Sequence, residues 1–249
     1  MRSTTYLGFL LGIAVVYGVV LAKGGDVSIF MNPIALTVCV GGTIAATTLS
    51  SSRSTLIHAF SAMKKLLVKR TSKWQEVAAV IVEMARTAKT SGLAAIDPEK
   101  LPLASPFLKK GTQLVVDGVE PERIEELLRL ESQILSEKRK SAERMFRLMG
   151  TYSPMFGLVG TLIGLIQMLK DLQDPRAIGQ GMSVALMATF YGVLLAGLVF
   201  LPLAGKIHTL DEDERLVRDQ ILAGLLSVRV GENPEHIRET VETFGARRD

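Results

Sequence analysis

Four long stretches of the chain contain no charged residue, and this feature limits the possible fold more than any other. They are residues 3–22, 27–52, 148–169 and 177–205, in which no Asp, Glu, Lys, Arg or His occurs. A helix needs about 20 apolar residues to cross the hydrocarbon core of a bilayer. A buried helix of a soluble protein rarely runs so far without a charge. The sequence therefore predicts an all-α polytopic membrane protein with four transmembrane helices.

The predicted boundaries divide the chain into four spans and two charged segments. The spans are residues 3–22, 31–52, 148–169 and 178–205; a large helical domain, 53–147, lies between spans 2 and 3, and a tail, 206–249, follows span 4. The first stretch could be confused with a secretory signal. Its apolar run is longer than the ~7–15 residues of a signal core and no A-x-A cleavage site closes it, so we expect a retained span.

The distribution of basic residues predicts the orientation in the membrane. Segment 53–147 contains 18 Lys and Arg and segment 206–249 contains 7, whereas the short connections contain only Lys23 in one case and Lys170 and Arg176 in the other. Because basic residues are retained in the cytoplasm, we expect both termini, the large loop and the tail there. No nucleic-acid-binding motif accompanies the basic charge, so we expect no nucleic-acid partner.

Turn and capping signals predict a compact helical loop. Ser105 followed by Pro106 is typical of a helix start, Gly92 is typical of a helix end, and Asp117-Gly118 is typical of a turn. From the segment EPERIEELL onwards no helix breaker occurs before span 3. We therefore expect one helix of about 45 residues that continues from the loop into this span.

The chain lacks the sequence motifs of common enzymes. It contains no HExxH, Walker A, GxSxG or dinucleotide-binding pattern, and its three histidines are scattered. We therefore expect neither an enzyme nor a bound cofactor.

Spans 3 and 4 each carry a stripe of small residues on one helical face. The stripe residues are Gly157, Gly160, Thr161 and Gly164 in span 3, and Ala185, Ala188, Thr189, Gly192 and Ala196 in span 4. Two interpretations are open: close packing between helices, as in small-xxx-small motifs, or a smooth surface that lines a passage or slides along another helix. None of the spans contains a carboxylate. If the chain moves ions, the carboxylate that binds them must come from another subunit.

These residues resemble a known family. The segment TYSPMFGLVGTLIGLIQMLKDLQDPRAIGQGMSVALMATFYGVLLAGLVFLPLAGKI, with VDG in the loop and ILAGLLSVRVGENPEHI in the tail, closely resembles MotA/PomA, the A subunit of the bacterial flagellar stator. The chain is more distantly similar to the ExbB/TolQ energisers, which have three spans and a different loop order. Two alternatives stay open: an ion-driven stator homologue that serves no flagellum, and a static channel or scaffold.

The resemblance implies a machine of several subunits in the bacterial inner membrane. In the family, five A subunits surround two helices of a MotB/PomB-type B subunit, which supplies the membrane aspartate. Passage of Na⁺ or H⁺ lets the ring of A subunits turn and push a FliG-type protein of the rotor C-ring. The chain is therefore expected to be a homopentamer that needs no cofactor other than the transported ion.

The resemblance also implies roles for individual residues. The two functional prolines of the family match Pro154 and Pro202. The segment AKTSGLAAID matches the rotor-facing motif, which places Lys89 and Asp97 at its charged positions and leaves Arg86 as a substitute one turn earlier.

An ion pathway is expected along the stripes, at Thr161, Thr189, Gly160 and Ala188. Sodium-type members resemble this chain in having threonine at both Thr positions, and proton-type members commonly have alanine at the first. The resemblance thus favours Na⁺ near Thr161 and Thr189 and leaves H⁺ open, since Ala188 departs from the paired threonines of many sodium-type members.

Overall fold

The computed structural model describes residues 7, 8, 10–12, 14, 18, 27–68, 74–102, 105–170 and 172–246, and these are helices joined by short connections. The helices are α1 (Pro33–Ser50), α2 (Arg53–Val68), α3 (Trp74–Ser91), α4 (Pro106–Val116), α5 (Pro121–Lys170), α6 (Pro175–Leu195), α7 (Leu201–Val230) and α8 (Pro234–Ala246). Short 3-10 turns occur at Val27–Phe30 and Leu93–Ala95, and one π-helical turn, Ala196–Phe200, joins α6 to α7. The all-α fold class is confirmed.

Three described helices are long and apolar enough to cross a membrane. They are Pro33–Ser50, Pro121–Lys170 and the continuous helix Pro175–Val230. The predicted spans 148–169 and 178–205 fall within the last two, and α1 covers most of the predicted span 31–52. The predicted first span, 3–22, lies largely outside the described residues.

Helices α1, α4 and α6 begin in the same way, with a short polar residue followed by proline, and α8 begins likewise at Asn233-Pro234, where the Asn233 side chain accepts from the N–H of Glu235 (3.3 Å). The side chains of Asn32, Ser105 and Asp174 accept hydrogen bonds from the backbone N–H groups of Ala35 (3.1 Å), Leu108 (3.4 Å) and Arg176 (2.9 Å), and each is followed by proline. Such a side chain satisfies one N–H that has no partner in the first turn, and the proline supplies the helical φ angle without needing its own N–H. The helix start predicted at Ser105-Pro106 is confirmed.

The predicted helix ends are also present. Gly92 follows α3 with a φ of 83°, and Gly118 follows α4 with a φ of 75°, a backbone conformation that side chains disfavour. Beyond α4, the N–H of Val119 reaches back to the carbonyl of Leu114 (3.2 Å). This bond satisfies a carbonyl that the end of the helix leaves free, and it explains the turn at Asp117-Gly118.

Helix α5 runs for 50 residues, slightly longer than expected, and contains Pro154. The proline removes one N–H, so the carbonyl of Gly150 loses its usual helical partner. The helix nevertheless continues on both sides, as helices in membranes tolerate proline when neighbouring groups compensate.

The chain forms two compact units. Unit 1 comprises Met1–Met63 and Ser141–Ile207, and unit 2 comprises Lys64–Lys140 and His208–Asp249. In unit 1, α1 and the second half of α5 pack against α6, mainly through small residues. Its large apolar side chains point outwards instead: Leu158, Leu162, Ile166 and Leu186 are all more than half exposed. This inside-out pattern is expected for helices that lipid surrounds.

Unit 2 has the apolar core of a water-soluble helical domain. Its fully buried members include Val77, Ile81, Leu108, Val115, Ile124, Leu128, Ile221, Leu225, Val228, Ile237 and Val241. The buried side chain of Gln220 donates to the carbonyls of Trp74 (3.1 Å) and Val241 (3.0 Å). It thereby connects α3 and α8 to α7 and satisfies backbone groups inside the core.

Candidate functional site

The glycine stripe of α5 packs directly against α6 of the same chain. A Cβ atom added to Gly164 would lie 2.4 Å from the carbonyl oxygen of Gly181, and one added to Gly192 would lie 2.7 Å from that of Ser153. The obstacles are backbone atoms, so the two helices are in contact at the level of their main chains. Small residues are what permit such an approach.

At Gly160 and Ala188 this packing bears on the two interpretations of the small-residue stripes. Ala188 is completely buried, and a Cβ on Gly160 would lie 2.3 Å from the Cβ of Ala188. The two residues face each other within unit 1 and leave no surface for another helix. Close helix packing, the alternative interpretation of the stripe, is what the structure contains at these positions.

The two threonines of the stripes meet at the edge of this packed surface. The hydroxyl oxygens of Thr161 and Thr189 are 2.5 Å apart. The Thr161 hydroxyl also lies 3.1 Å from the carbonyl of Gly157 and 3.2 Å from that of Ala185. Thr161 is half-buried and Thr189 is exposed, so the pair faces outwards from the packed helices.

The threonine pair has more acceptor than donor capacity. Two hydroxyls carry two protons, whereas the two hydroxyl oxygens and the carbonyls of Gly157 and Ala185 offer several lone pairs. These neutral oxygens suit a hard cation or a hydrogen-bonded water. They cannot compensate a cation's charge, and among the described residues no three His, Cys, Asp or Glu side chains lie close enough together to hold a metal.

A second polar group lies deeper between the same helices, and the sequence did not reveal its partners. The buried Ser153 donates its hydroxyl to the carbonyl of Gly192 (3.0 Å), and the thiol of Cys39 lies 3.5 Å from the Ser153 carbonyl. Ser153 directly precedes Pro154 in α5. A polar residue beside a proline on the inner face of an apolar helix is the signal that could have identified it.

Pro202 follows a local change in helix geometry. The N–H of Leu201 bonds to the carbonyl of Ala196, five residues earlier, in the π-helical turn that precedes α7. The next residue, Pro202, has no N–H to give to the carbonyls of Gly197 or Leu198. Single π-helical turns inside α-helices are frequent at functional sites. Pro202 is exposed, whereas Pro154 is half-buried.

Tyr191 connects α6 to the start of α1. Its hydroxyl donates to the carbonyl of Phe30 and accepts from the N–H of Asn32 (3.0 Å). The Asn32 amide in turn donates to the hydroxyl of Ser183 (3.3 Å). The spacing of eight residues between Ser183 and Tyr191 places both on one side of α6, but sequence alone does not indicate which helix they meet.

In unit 2 the residues matched to the rotor-facing motif are exposed and partly paired. Arg86 lies 3.8 Å from Glu83, and Asp97 lies 3.2 Å from Lys100. Lys89 is exposed and makes no ion pair within the described part of the chain. The N–H of Glu99, followed by the Lys100 ammonium, lowers the pKa of the Asp97 carboxyl below its ordinary value.

A buried ion cluster was not predicted from the sequence. Arg139 on α5 pairs with Glu214 on α7, and Arg218 lies 3.5 Å from Asp211 and 3.6 Å from Glu214. The Asp211 carboxylate also accepts from the hydroxyl of Ser136. Burial lowers the pKa of Arg218, and the two carboxylates oppose that shift. The cluster fixes α5 to α7 within unit 2.

Comparison with known proteins gives matches over nearly the whole chain. Residues 100–220 match the model of the MotA/TolQ/ExbB proton channel family, and residues 6–92 match that of the motility protein A N-terminal region. Chemotaxis protein PomA of Vibrio alginolyticus is 31% identical over 98% of this chain and 95% of its own length. An uncharacterised protein of Bacillus subtilis, YtxD, is 33% identical over 98% of this chain and 91% of its own.

Two solved structures also match this chain over nearly its whole length. The flagellar MotAB stator complex of Bacillus subtilis contains a chain that is 25% identical and superimposes with a TM-score of 0.88, over 97% of this chain and 95% of that one. A chain of C. jejuni MotAB is 24% identical and superimposes with a TM-score of 0.91, over 98% of this chain and 96% of that one. This second match shows similarity of fold.

Proposed function

The chain belongs to the MotA/TolQ/ExbB proton channel family, and from this membership we propose that it is the A subunit of a flagellar stator in the bacterial inner membrane. In this proposal five copies surround a B subunit, and the complex converts an ion gradient into torque. A partner of this kind is named in the solved MotAB complexes that the chain resembles.

The observation that carries the proposal is the threonine pair in two predicted spans, 148–169 and 178–205, that contain no carboxylate. Thr161 and Thr189 present two hydroxyls at 2.5 Å from each other, with two backbone carbonyls beside them. Such oxygens can replace part of the hydration shell of an ion, but an ion in the membrane also needs a negative charge. The B subunit is proposed to supply that charge as an aspartate beside the pair.

The transported ion is proposed to be Na⁺, with H⁺ as the alternative. A sodium ion needs several oxygen ligands in place of its water, and the outward-facing hydroxyls of Thr161 and Thr189 are suited to provide them. A proton needs only a basic group and a path of water, for which the second hydroxyl is dispensable. The distinction therefore depends on whether the threonine pair contributes to ion binding.

The rotor contact is proposed to be electrostatic. Lys89 is exposed on α3 and Asp97 follows the 3-10 turn after it, so both charges are available to a charged helix of the rotor C-ring. Arg86 lies one turn before Lys89 on the same helix, where Glu83 partly neutralises it. Surface charges of this kind guide association and orientation more than they add affinity.

The experiment that tests this function is restoration of motility. The chain is expressed with a B subunit in a strain that lacks its own stator, and swimming speed is measured against external sodium at fixed pH. Thr161→Ala should raise the sodium concentration for half-maximal speed by about tenfold, which corresponds to about 1.4 kcal/mol of binding free energy. Thr151→Ala is the matched control, because among the described residues the Thr151 hydroxyl bonds to the carbonyl of Arg147 in its own helix and to no other group.

Two results would contradict parts of the proposal. Swimming that is unchanged without sodium and abolished by a protonophore would make this a proton stator. Failure to restore swimming, although a stable complex forms with the B subunit, would indicate that the chain drives another machine.

A further inference from the structure

Helix α2 begins immediately beyond the apolar part of α1. Only Ser51 and Ser52 separate the two helices. The hydroxyl of Ser50, the last residue of α1, lies 3.2 Å from that of Tyr152. Tyr152 in turn lies five residues after Arg147, the last charge before span 3. Two spans therefore reach the end of the apolar layer at the same level, and α2 starts there.

The exposed face of α2 carries large apolar side chains. Ile57 and Phe60 are 68% and 69% exposed, whereas Ala59 and Ala62 on the opposite face are buried within the chain. Arg53 is exposed one turn before Ile57, so the three exposed side chains form one stripe. The larger apolar groups thus point away from the protein, on a helix outside the predicted spans.

The sequence around this stripe is strongly basic. From Arg53 to Gln75 the chain contains six Lys and Arg and no Asp or Glu. A cluster of basic residues next to a membrane span is attracted to the negative surface of anionic lipids. Apolar side chains beside such a cluster can enter the boundary between headgroups and acyl chains.

We propose that the face of α2 formed by Arg53, Ile57 and Phe60 binds anionic phospholipid at the membrane surface. Ile57 and Phe60 insert at the level of the headgroups, and Arg53 contacts a lipid phosphate. At 1.5 Å per residue, Phe60 is within about 11 Å of the helix start, so the stripe is within reach of the headgroup layer. The continuity with α1 and the lack of acidic residues both favour a lipid over a protein partner.

Fluorescence quenching tests the insertion in the full-length chain, reconstituted with its B subunit in nanodiscs. Trp74 is the only tryptophan of this chain, so Trp74→Phe, together with a B subunit whose tryptophans are replaced by phenylalanine, provides a dark background for a reporter at Phe60→Trp. Lipids brominated on the acyl chain should quench this reporter by about half as much as one at Leu36→Trp, an exposed apolar position on α1, which is long and apolar enough to cross the membrane. A reporter at Leu130→Trp, exposed in unit 2, is the negative control.

Lipid analysis tests the charge preference. In nanodiscs of mixed phosphatidylcholine and phosphatidylglycerol, lipid that remains bound after detergent extraction should be enriched about twofold in phosphatidylglycerol. This enrichment should be lost in a triple variant of the basic residues of α2, Arg53→Gln, Lys64→Gln and Lys65→Gln. It should be kept in a control triple variant of unit 2, Lys109→Gln, Lys110→Gln and Arg123→Gln. Quenching at Phe60→Trp no greater than at Leu130→Trp would overturn the proposal and indicate that a neighbouring subunit covers α2. Equal enrichment of phosphatidylglycerol in both triple variants would overturn the proposed attraction between the basic side chains of α2 and anionic lipid.

Discussion

A methyl group added at Gly164 should weaken the association of α5 and α6 within one chain. The Cβ of Gly164→Ala would lie 2.4 Å from the carbonyl oxygen of Gly181 and 2.6 Å from the nitrogen of Ala185, whereas ordinary contact begins at 3.4 Å. The helices must therefore move apart by about 1 Å. Overpacking of this kind costs about 1–3 kcal/mol. Alanine also favours the helix over glycine by about 1 kcal/mol, which offsets part of the loss.

A glycine in open space separates these two effects. Gly179 lies on α6 with nothing within 4 Å of an added Cβ, so Gly179→Ala should show the helix propensity alone. We expect Gly164→Ala to be less stable than Gly179→Ala by about 1–3 kcal/mol. Unfolding of each purified variant in mixed micelles, followed by circular dichroism as denaturing detergent is added, measures the difference. Equal stability of the two variants would refute the close contact between these helices.

Further predictions concern unit 2 and its charges. Lys89→Glu combined with Asp97→Lys should reduce torque in tethered cells without changing ion flux, because both residues lie outside the spans; normal torque would remove them from the rotor contact. In a carbon-NMR titration, Asp97 should protonate below the ordinary value of 3.8, and Lys100→Gln should raise its midpoint. Because the folded-state pKa is the lower one, the contribution of Asp97 to stability is present above the unfolded pKa and is lost as the pH falls through the folded pKa; a midpoint at or above 3.8 would contradict the described contacts. Arg139→Gln should destabilise the chain by about 3–5 kcal/mol, because Arg218 alone then faces both Asp211 and Glu214 and one negative charge is left without compensation. Arg129→Gln, at an exposed ion pair, should cost at most about 1 kcal/mol. Similar losses for the two variants would show that the ion cluster is not buried in solution.

The features that sequence predicted well depend on local chemistry. The helix start at Ser105-Pro106 and the end at Gly118 follow from capping and backbone preferences that act over a few residues. The contact of Thr161 with Thr189 also follows from a short argument. Helical spacing places each hydroxyl on a small-residue face, and two adjacent spans with a short connection pack against each other.

The features that sequence did not predict depend on which surfaces meet. A stripe of small residues identifies a face that another helix approaches closely, but not whether that helix belongs to the same chain. The stripe pattern therefore leaves both interpretations open for Gly160 and Ala188, and only the structure shows that they pack against each other within one chain. The ion cluster of Arg139 and Asp211 joins residues far apart in sequence, and alternating charges on a long helix are ordinarily solvated.

In the proposed mechanism, this chain supplies oxygens to an ion site whose carboxylate belongs to another subunit. Ion flux through reconstituted vesicles is the most direct test of this mechanism. The purified chain is placed in liposomes alone, with a B subunit, and with a B subunit whose membrane aspartate is replaced by asparagine, and uptake of sodium and protons is recorded under an imposed potential. Flux is expected only when the intact B subunit is present. Flux of the same size through the chain alone would contradict this mechanism, because the spans would then conduct ions without the partner's charge.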